Sequence, residues 1–65
     1  MLELMIGLYN TPRGTRSYCT MYFNVELDAS EALERARDKI QNGRAHNRDY
    51  LLNCLSLGNF RVSII

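Results

Sequence analysis

Two runs of alternating apolar residues, joined by a turn signal, constrain the first part of the chain more than any other feature. Apolar side chains occupy every second position from Leu2 to Leu8 and again from Cys19 to Leu27. Between them, residues 11–14 read Thr-Pro-Arg-Gly, with proline second and glycine fourth as in a type I turn. With this loop, Asn10 pairs with Thr15, and one register sorts both strands into matching apolar and polar faces. The pattern predicts a β-hairpin.

The next segment has the start signal and the spacing of an amphipathic helix. Asp28 is the predicted N-cap, Glu31 follows three residues later as in a capping box, and Leu27 precedes the cap. Gly43 is the predicted stop. The apolar positions recur at helical spacing, which predicts one buried stripe: Ala29, Ala32, Leu33, Ala36 and Ile40.

The C-terminal third resembles a second hairpin. Gly58 and Asn59 form a doublet typical of a two-residue turn, which would pair Leu57 with Phe60 and Leu55 with Val62. Residues 44–49 would then be a polar linker. Residues 50–53 remain open between a strand and a last helical turn, because the leucines near them also fit a period of 3.6 residues.

These elements predict a single α+β domain over residues 1–65, in the order β-β-α-β-β. Two antiparallel hairpins would form a four-stranded sheet with one helix packed on one face. The order of the strands stays open. The predicted core combines the inward positions of all elements: Leu4, Ile6, Met21, Phe23, Leu33, Ile40, Leu55, Phe60 and Val62.

No pattern of catalytic or metal-binding residues stands out, so the sequence predicts a non-enzymatic protein without cofactor or metal. The only histidine, His46, falls in the polar linker, where a solvated side chain is expected. The two cysteines do not form a zinc-binding pair. Cys19 falls on the core side of its strand. Cys54 falls beside Arg61 on the outer face, and a reactive thiol there is a less favoured alternative.

The outer face of the predicted sheet is the first candidate binding surface. Tyrosine and arginine are enriched at protein interfaces, which favours a protein partner. They can also stack on bases and contact phosphates, so a nucleic-acid-binding module is the alternative, although the net charge is only +1. The predicted partner-binding residues are Tyr9, Arg16, Tyr18, Tyr22 and Arg61.

The second candidate binding surface is rich in basic residues. Residues 35–65 contain six basic residues against two acidic ones, and most of the basic ones fall on the helix and the linker. A solvated helix face that complements the C-terminal dipole explains them without a partner. The alternative is an acidic or phosphate-bearing ligand. This secondary basic surface comprises Arg35, Arg37, Lys39, Arg44 and Arg48.

The length of the chain suggests a partner of some kind. A 65-residue domain builds only a small core, and association is one way in which such domains gain stability. A homodimer is therefore expected as a further possibility. No apolar run reaches membrane-spanning length and no secretion signal is recognised, so we expect a cytoplasmic protein. In type, the chain resembles small phage-encoded proteins that inhibit host machinery, including anti-CRISPR proteins, and this resemblance assigns no residues.

Overall fold

A computed structural model describes residues 1–44 and 46–65. The described chain contains three strands and two helices. The strands form one antiparallel sheet in the order β2-β1-β3, so that β1 is central. The elements in chain order are β1 (Leu2–Thr11), β2 (Gly14–Phe23), α1 (Ala29–Gln41), α2 (Arg48–Leu57) and β3 (Phe60–Ile64).

The first hairpin is confirmed with its predicted register. The pairs run from Leu2 opposite Phe23 to Thr11 opposite Gly14, and Asn10 lies opposite Thr15. Gly14 has a φ of +117°, which suits the exit of this turn because glycine has no side chain to clash there. The alternation of apolar residues was sufficient to fix this register.

The first helix is also confirmed. Asp28 is its N-cap, and the Asp28 carboxylate accepts a hydrogen bond from the backbone N–H of Glu31 at 2.8 Å. The helix ends at Gln41, just before the predicted stop at Gly43. Ala32, Ala36 and Ile40 are buried along its inner stripe.

The predicted four-stranded sheet with one helix is wrong. Residues 48–57 form the helix α2, which buries Leu51, Cys54 and Leu55 at helical spacing. Gly58 has a left-handed conformation, with φ of 78°, and caps this helix. The Gly58-Asn59 doublet therefore ends a helix instead of forming a hairpin turn. The sequence does not distinguish the two, because a glycine with positive φ is common in both.

The last strand pairs with a different partner from the one predicted. β3 lies antiparallel to β1, from Ile6 opposite Phe60 to Leu2 opposite Ile64. The predicted pairs of Leu57 with Phe60 and Leu55 with Val62 are therefore wrong. The predicted linker is shorter than residues 44–49, since α2 begins at Arg48, and Ala45 lies outside the described residues.

One core lies between the sheet and the two helices. Leu4 and Ile6 of the central strand are fully buried. Every residue of the predicted core either belongs to it or packs against it, with Met21, Leu33, Phe60 and Val62 partly buried. The buried set is Leu2, Leu4, Ile6, Phe23, Ala32, Ala36, Ile40, Leu51, Cys54 and Leu55.

Neither of the two described helices is long and apolar enough to cross a membrane.

Candidate functional site

The first hairpin extends past the end of the third strand. β3 pairs only with residues 2–6 of β1, whereas the pairing of β1 with β2 continues to Thr11. We call residues 7–18, the part of the hairpin beyond β3, the hairpin arm. It is a two-stranded projection, so its side chains are presented on an extended, accessible element.

Asn59 ties the base of the arm to the end of α2. Its backbone carbonyl accepts a hydrogen bond from the N–H of Gly7 at 2.9 Å. Its side-chain Oδ1 accepts one from the N–H of Leu8, also at 2.9 Å. In a regular strand, successive amides point to opposite edges. The positive φ of Gly7, +73°, interrupts that alternation and lets one residue satisfy both amides.

Three tyrosines form a cluster at the side of the arm. The Tyr9 and Tyr18 rings lie 4.8 Å apart between centroids, tilted by 43°. Tyr18 meets Tyr50 of α2 edge-on, at 5.3 Å and 80°. Such geometries are favourable for aromatic pairs. The three side chains nevertheless remain 39%, 57% and 46% exposed in that order. We call these three residues, Tyr9, Tyr18 and Tyr50, the tyrosine cluster. Their rings pack against one another and remain accessible to a partner.

Gly7 makes this packing possible. A Cβ atom at Gly7 would lie 3.2 Å from Cδ2 of Tyr18 and 3.4 Å from Cε2 of Tyr50. Both rings thus lie over the bare backbone of the central strand. The missing side chain is the space that Tyr18 and Tyr50 fill, which links the strand glycine to the shape of the surface.

The arm also lines an open cavity of about 340 Å³ that is rich in arginine and hydroxyl groups. The hydroxyls of Ser17 and Thr20 share a hydrogen bond of 2.7 Å. Among the described residues the single ion pair joins Arg48 and Asp49, so neither arginine of the cavity is in one. An anionic group of a partner would find unpaired guanidinium groups here. The lining residues are Met5, Arg13, Thr15, Arg16, Ser17 and Thr20.

The structure divides the predicted partner-binding residues into two groups. Tyr9, Arg16 and Tyr18 lie on the arm. Tyr22 and Arg61 lie on the body of the sheet, where the Tyr22 hydroxyl donates to Glu3 at 3.3 Å and Arg61 Nη2 donates to Met5 Sδ at 3.3 Å.

Two residues of the tyrosine cluster and the open cavity were not among the predicted partner-binding residues. The sequence leaves Tyr50 in a segment open between a strand and a helical turn, and it places Arg13 only in the turn. The helical spacing from Tyr50 to Cys54 was the available signal for the former.

The secondary basic surface is partly occupied by structural contacts. Arg48 donates through Nε to the carbonyl of Gln41 at 2.9 Å and so caps the end of α1. Lys39 Nζ lies 5.8 Å from the centre of the Phe23 ring, within cation–π range. Arg35, Arg37 and Arg44 remain as exposed residues outside any ion pair of the described chain.

The two cysteines and the histidine lie on different parts of the fold: Cys19 on β2, Cys54 on α2, and His46 between α1 and α2. Cys54 is 3% exposed and lies on α2, so its predicted place beside Arg61 on the outer face is wrong. Burial raises the pKa of the partly buried Cys19 thiol. His46 is exposed. Residues 1–44 and 46–65 contain no group of three His, Cys, Asp or Glu side chains placed to hold a metal ion.

The surroundings of Tyr50 change the pKa of its hydroxyl. A side-chain hydrogen bond with Cys54 raises the pKa of Tyr50 above its usual value. Desolvation and the neighbouring Cys54 and Tyr18 groups raise it further. The Tyr50 hydroxyl therefore stays uncharged at neutral pH.

Comparisons of the chain with protein-family models, curated proteins and solved structures found no match.

Proposed function

We propose that this chain is a small non-enzymatic protein-binding module that contacts its partner through the hairpin arm. The observation that carries the proposal is the tyrosine cluster. Tyr9, Tyr18 and Tyr50 expose large ring surfaces while packing against one another. Side chains that are already ordered lose little entropy when a partner covers them, and tyrosine has few rotatable bonds to fix.

The arginines of the arm can add directional hydrogen bonds to this contact. Arg13 and Arg16 line the open cavity on the same projection, and guanidinium groups bind carboxylates in a bidentate geometry. A partner that offers an apolar or aromatic patch beside an acidic side chain fits both features. We propose that binding acts by occlusion, in the manner of a phage or mobile-element inhibitor or of an accessory factor.

The proposed setting is the cytoplasm. Cys19 and Cys54 are both free thiols, and the burial of Cys54 suits a compartment in which thiols stay reduced.

A nucleic-acid-binding module is the second candidate function. The pairing of exposed tyrosines with Arg13 and Arg16 on one arm supports it, because such residues stack on bases and contact phosphates. The net charge of +1 disfavours nucleic-acid binding, because domains that bind nucleic acid carry a distinctly basic surface.

An affinity pull-down with mass spectrometry tests the leading proposal. The bait is the full chain, compared with a Tyr9→Ala/Tyr18→Ala double variant and with Tyr22→Ala as the matched tyrosine control on the sheet body. A partner retained by the parent and by Tyr22→Ala but lost by the double variant supports the arm. Equal retention by all three baits contradicts it.

Mobility shifts with single-stranded and double-stranded nucleic acid at two salt concentrations test the second candidate. Phosphate contacts make affinity fall steeply with salt. A shift that weakens strongly at the higher salt and disappears in the double variant would favour nucleic-acid binding over a protein partner.

A further inference from the structure

The segment of chain around the open cavity carries positive charge alone. No Asp or Glu occurs between Glu3 and Glu26, and the only charged side chains between these two positions are Arg13 and Arg16. Both arginines line the cavity of about 340 Å³. Among the residues that the structure describes, neither takes part in an ion pair. The cavity therefore concentrates positive charge that no carboxylate of the hairpin arm compensates.

A third arginine approaches the cavity from β3. Met5, which lines the cavity, lies between Thr20 of β2 and Arg61 of β3 in the sheet. The Arg61 guanidinium donates through Nη2 to the Met5 sulfur at 3.3 Å. Because a thioether sulfur is a weak and uncharged acceptor, this contact leaves the charge of Arg61 available to an anion.

The hydroxyl groups of Ser17 and Thr20 provide a neutral donor beside these cations. Their oxygens lie 2.7 Å apart, so one hydroxyl donates to the other. Such a bond uses one of the two hydroxyl hydrogens, and the accepting hydroxyl keeps its own hydrogen for another acceptor. Thr15 differs, because its hydroxyl already donates to Asn10 Oδ1 at 3.3 Å. The pair of Ser17 and Thr20 can therefore donate to one oxygen of a ligand in the cavity.

The backbone at Arg13 is held in place by the side chain of Thr11. Thr11 Oγ1 donates to the carbonyl of Gly14 at 2.8 Å and accepts from the N–H of Arg13 at 3.2 Å. These two bonds close the turn on both sides of Arg13. A ligand that binds the Arg13 guanidinium therefore needs to order only the side chain, which lowers the entropic cost of binding.

We propose that the cavity is a binding site for a phosphoryl dianion, the group that a phosphorylated side chain and inorganic phosphate share. Such a group carries about −1.5 to −2 charges at pH 7 and three strong acceptor oxygens. It can accept from more than one guanidinium and from the hydroxyl pair at once. A carboxylate has two oxygens and a single charge, so it leaves part of this donor set unused. The inference goes beyond the proposed function, because it holds whether or not the tyrosine cluster contacts a partner.

The charges on the sheet favour an isolated phosphoryl group over a nucleic-acid strand. A strand carries a run of phosphates and is bound along a continuous basic groove. Glu3 lies two residues from Met5 on the same face of β1, about 7 Å away. Its carboxylate accepts a hydrogen bond from the Tyr22 hydroxyl at 3.3 Å, which holds it on the body of the sheet. The position next to the cavity is therefore acidic and would repel the adjacent phosphate of a strand.

An NMR titration of the full chain, followed through its backbone amide signals, tests the site. The probes are three short peptides of identical sequence that differ at one position, which is phosphoserine, glutamate or serine. The phosphopeptide should shift the amide signals of the cavity residues and bind about tenfold or more tightly than the glutamate peptide. Equal binding of these two peptides, or no shift at the cavity, overturns the proposal.

Inorganic phosphate and an oligonucleotide identify the source of the group. Phosphate should shift the same amide signals. If it binds as tightly as the phosphopeptide, the site takes the free anion, and tighter binding of the peptide assigns the site to a phosphorylated side chain. A single-stranded oligonucleotide that binds more tightly than the phosphopeptide overturns the isolated phosphoryl group in favour of nucleic acid.

Charge-matched variants show whether the arginines of the cavity are responsible. Arg13→Gln/Arg16→Gln should weaken phosphopeptide binding about tenfold or more, and Arg61→Gln should weaken it less. Arg35→Gln/Arg37→Gln removes the same number of charges from α1 and should leave the affinity within about twofold at physiological salt. An equal loss in both double variants would show that binding follows net charge, which overturns the site.

The hydroxyl pair is tested without any change of charge. Ser17→Ala/Thr20→Val should weaken phosphopeptide binding about fivefold or more, because a donor to a charged group is lost. Circular dichroism shows whether each variant stays folded. Unchanged affinity in a folded hydroxyl variant would contradict the proposed donor set. No partner protein is present in these titrations, so their outcome is independent of the pull-down.

Discussion

The side-chain Oδ1 of Asn59 accepts a hydrogen bond of 2.9 Å from the backbone N–H of Leu8, 51 residues earlier in the chain. This contact, with the parallel one from Gly7 to the Asn59 carbonyl, joins the end of α2 to the arm just where β3 stops pairing. Asn59 therefore anchors the base of the arm through two hydrogen bonds, beside the packing of Tyr50 on Tyr18.

Replacing Asn59 should loosen this anchor. Asn59→Ala leaves the partly buried N–H of Leu8 without its acceptor, and we expect the free energy of unfolding to fall by about 1–2 kcal/mol. Asn59→Asp retains an oxygen acceptor and loses only the weak contact from Nδ2 to Cys54 Sγ at 3.9 Å. It should therefore cost less than alanine. Urea unfolding of the three proteins measures this, and a costlier aspartate would contradict the acceptor role.

Gly7→Ala should damage the tyrosine cluster as well as the backbone. The positive φ costs any L side chain about 1–2 kcal/mol, and the new methyl group would press on Tyr18 at 3.2 Å. We expect a loss of about 2–3 kcal/mol of stability.

Gly58→Ala is the matched control for that substitution. Gly58 has a similar φ of +78°, and a Cβ there meets nothing within 4 Å. It should cost about 1 kcal/mol. Thermal unfolding monitored by circular dichroism compares the two variants, and equal losses would show that Tyr18 and Tyr50 simply move aside.

A pair of leucine substitutions tests the second helix. Leu51 is 3% exposed and Leu57 is 75% exposed. Leu51→Ala should cost about 2–5 kcal/mol, because it opens a cavity in the core. Leu57→Ala should change stability by no more than about 0.5 kcal/mol. A second hairpin would require the reverse for Leu57, which would then face Phe60 in the core. A large loss in Leu57→Ala would therefore contradict the helix.

The first hairpin and the second helix differ in how much of their structure the local sequence determines. The first hairpin was predictable because the apolar residues of its two strands match under one register and the turn is local. The segment around Leu51, Leu52 and Leu55 satisfies both a strand and a helix period, so its local pattern could not decide. The true partner of Phe60 is Ile6, far away in sequence, and local spacing does not encode that pairing.

The candidate site was predictable in part for the same reason. Tyr9, Arg16 and Tyr18 follow from the hairpin register. Tyr50 joins them only because α2 packs beside Gly7, a tertiary contact that depends on the missed helix. The positive φ of Gly7 was equally invisible in the alternation, since a strand glycine is compatible with regular pleating.

Stability should fall at alkaline pH. The folded protein raises the pKa of Cys19 above its usual 9.0 and that of Tyr50 above its usual 10.0. The unfolded chain then releases these protons first, so the contribution to stability is complete below about pH 9 and is lost as pH rises through the folded values.

Urea unfolding at about pH 8 and about pH 10.5 measures this slope. Cys19→Ser removes one of the two groups and should flatten the dependence, whatever its effect at the lower pH. A parent protein equally stable at both pH values would contradict the burial of Cys19 and the contact between Tyr50 and Cys54.

Partner binding should depend on the arm and much less on α1. Tyr9→Ala/Tyr18→Ala removes two of the three rings, and loss of such an anchor typically costs about 2 kcal/mol or more, near thirtyfold in affinity. Arg35→Glu/Arg37→Glu reverses two exposed charges on a helix whose inner stripe already lies in the core. That reversal should alter affinity modestly and mainly through the association rate.

Surface plasmon resonance with the partner recovered by pull-down separates the two effects, and circular dichroism confirms that both variants stay folded. Because both double variants alter two exposed side chains, they are matched in number. If charge reversal on α1 abolishes binding while the tyrosine variant still binds, the partner occupies the secondary basic surface, and Arg35, Arg37 and Arg44 replace the tyrosine cluster as the contact residues.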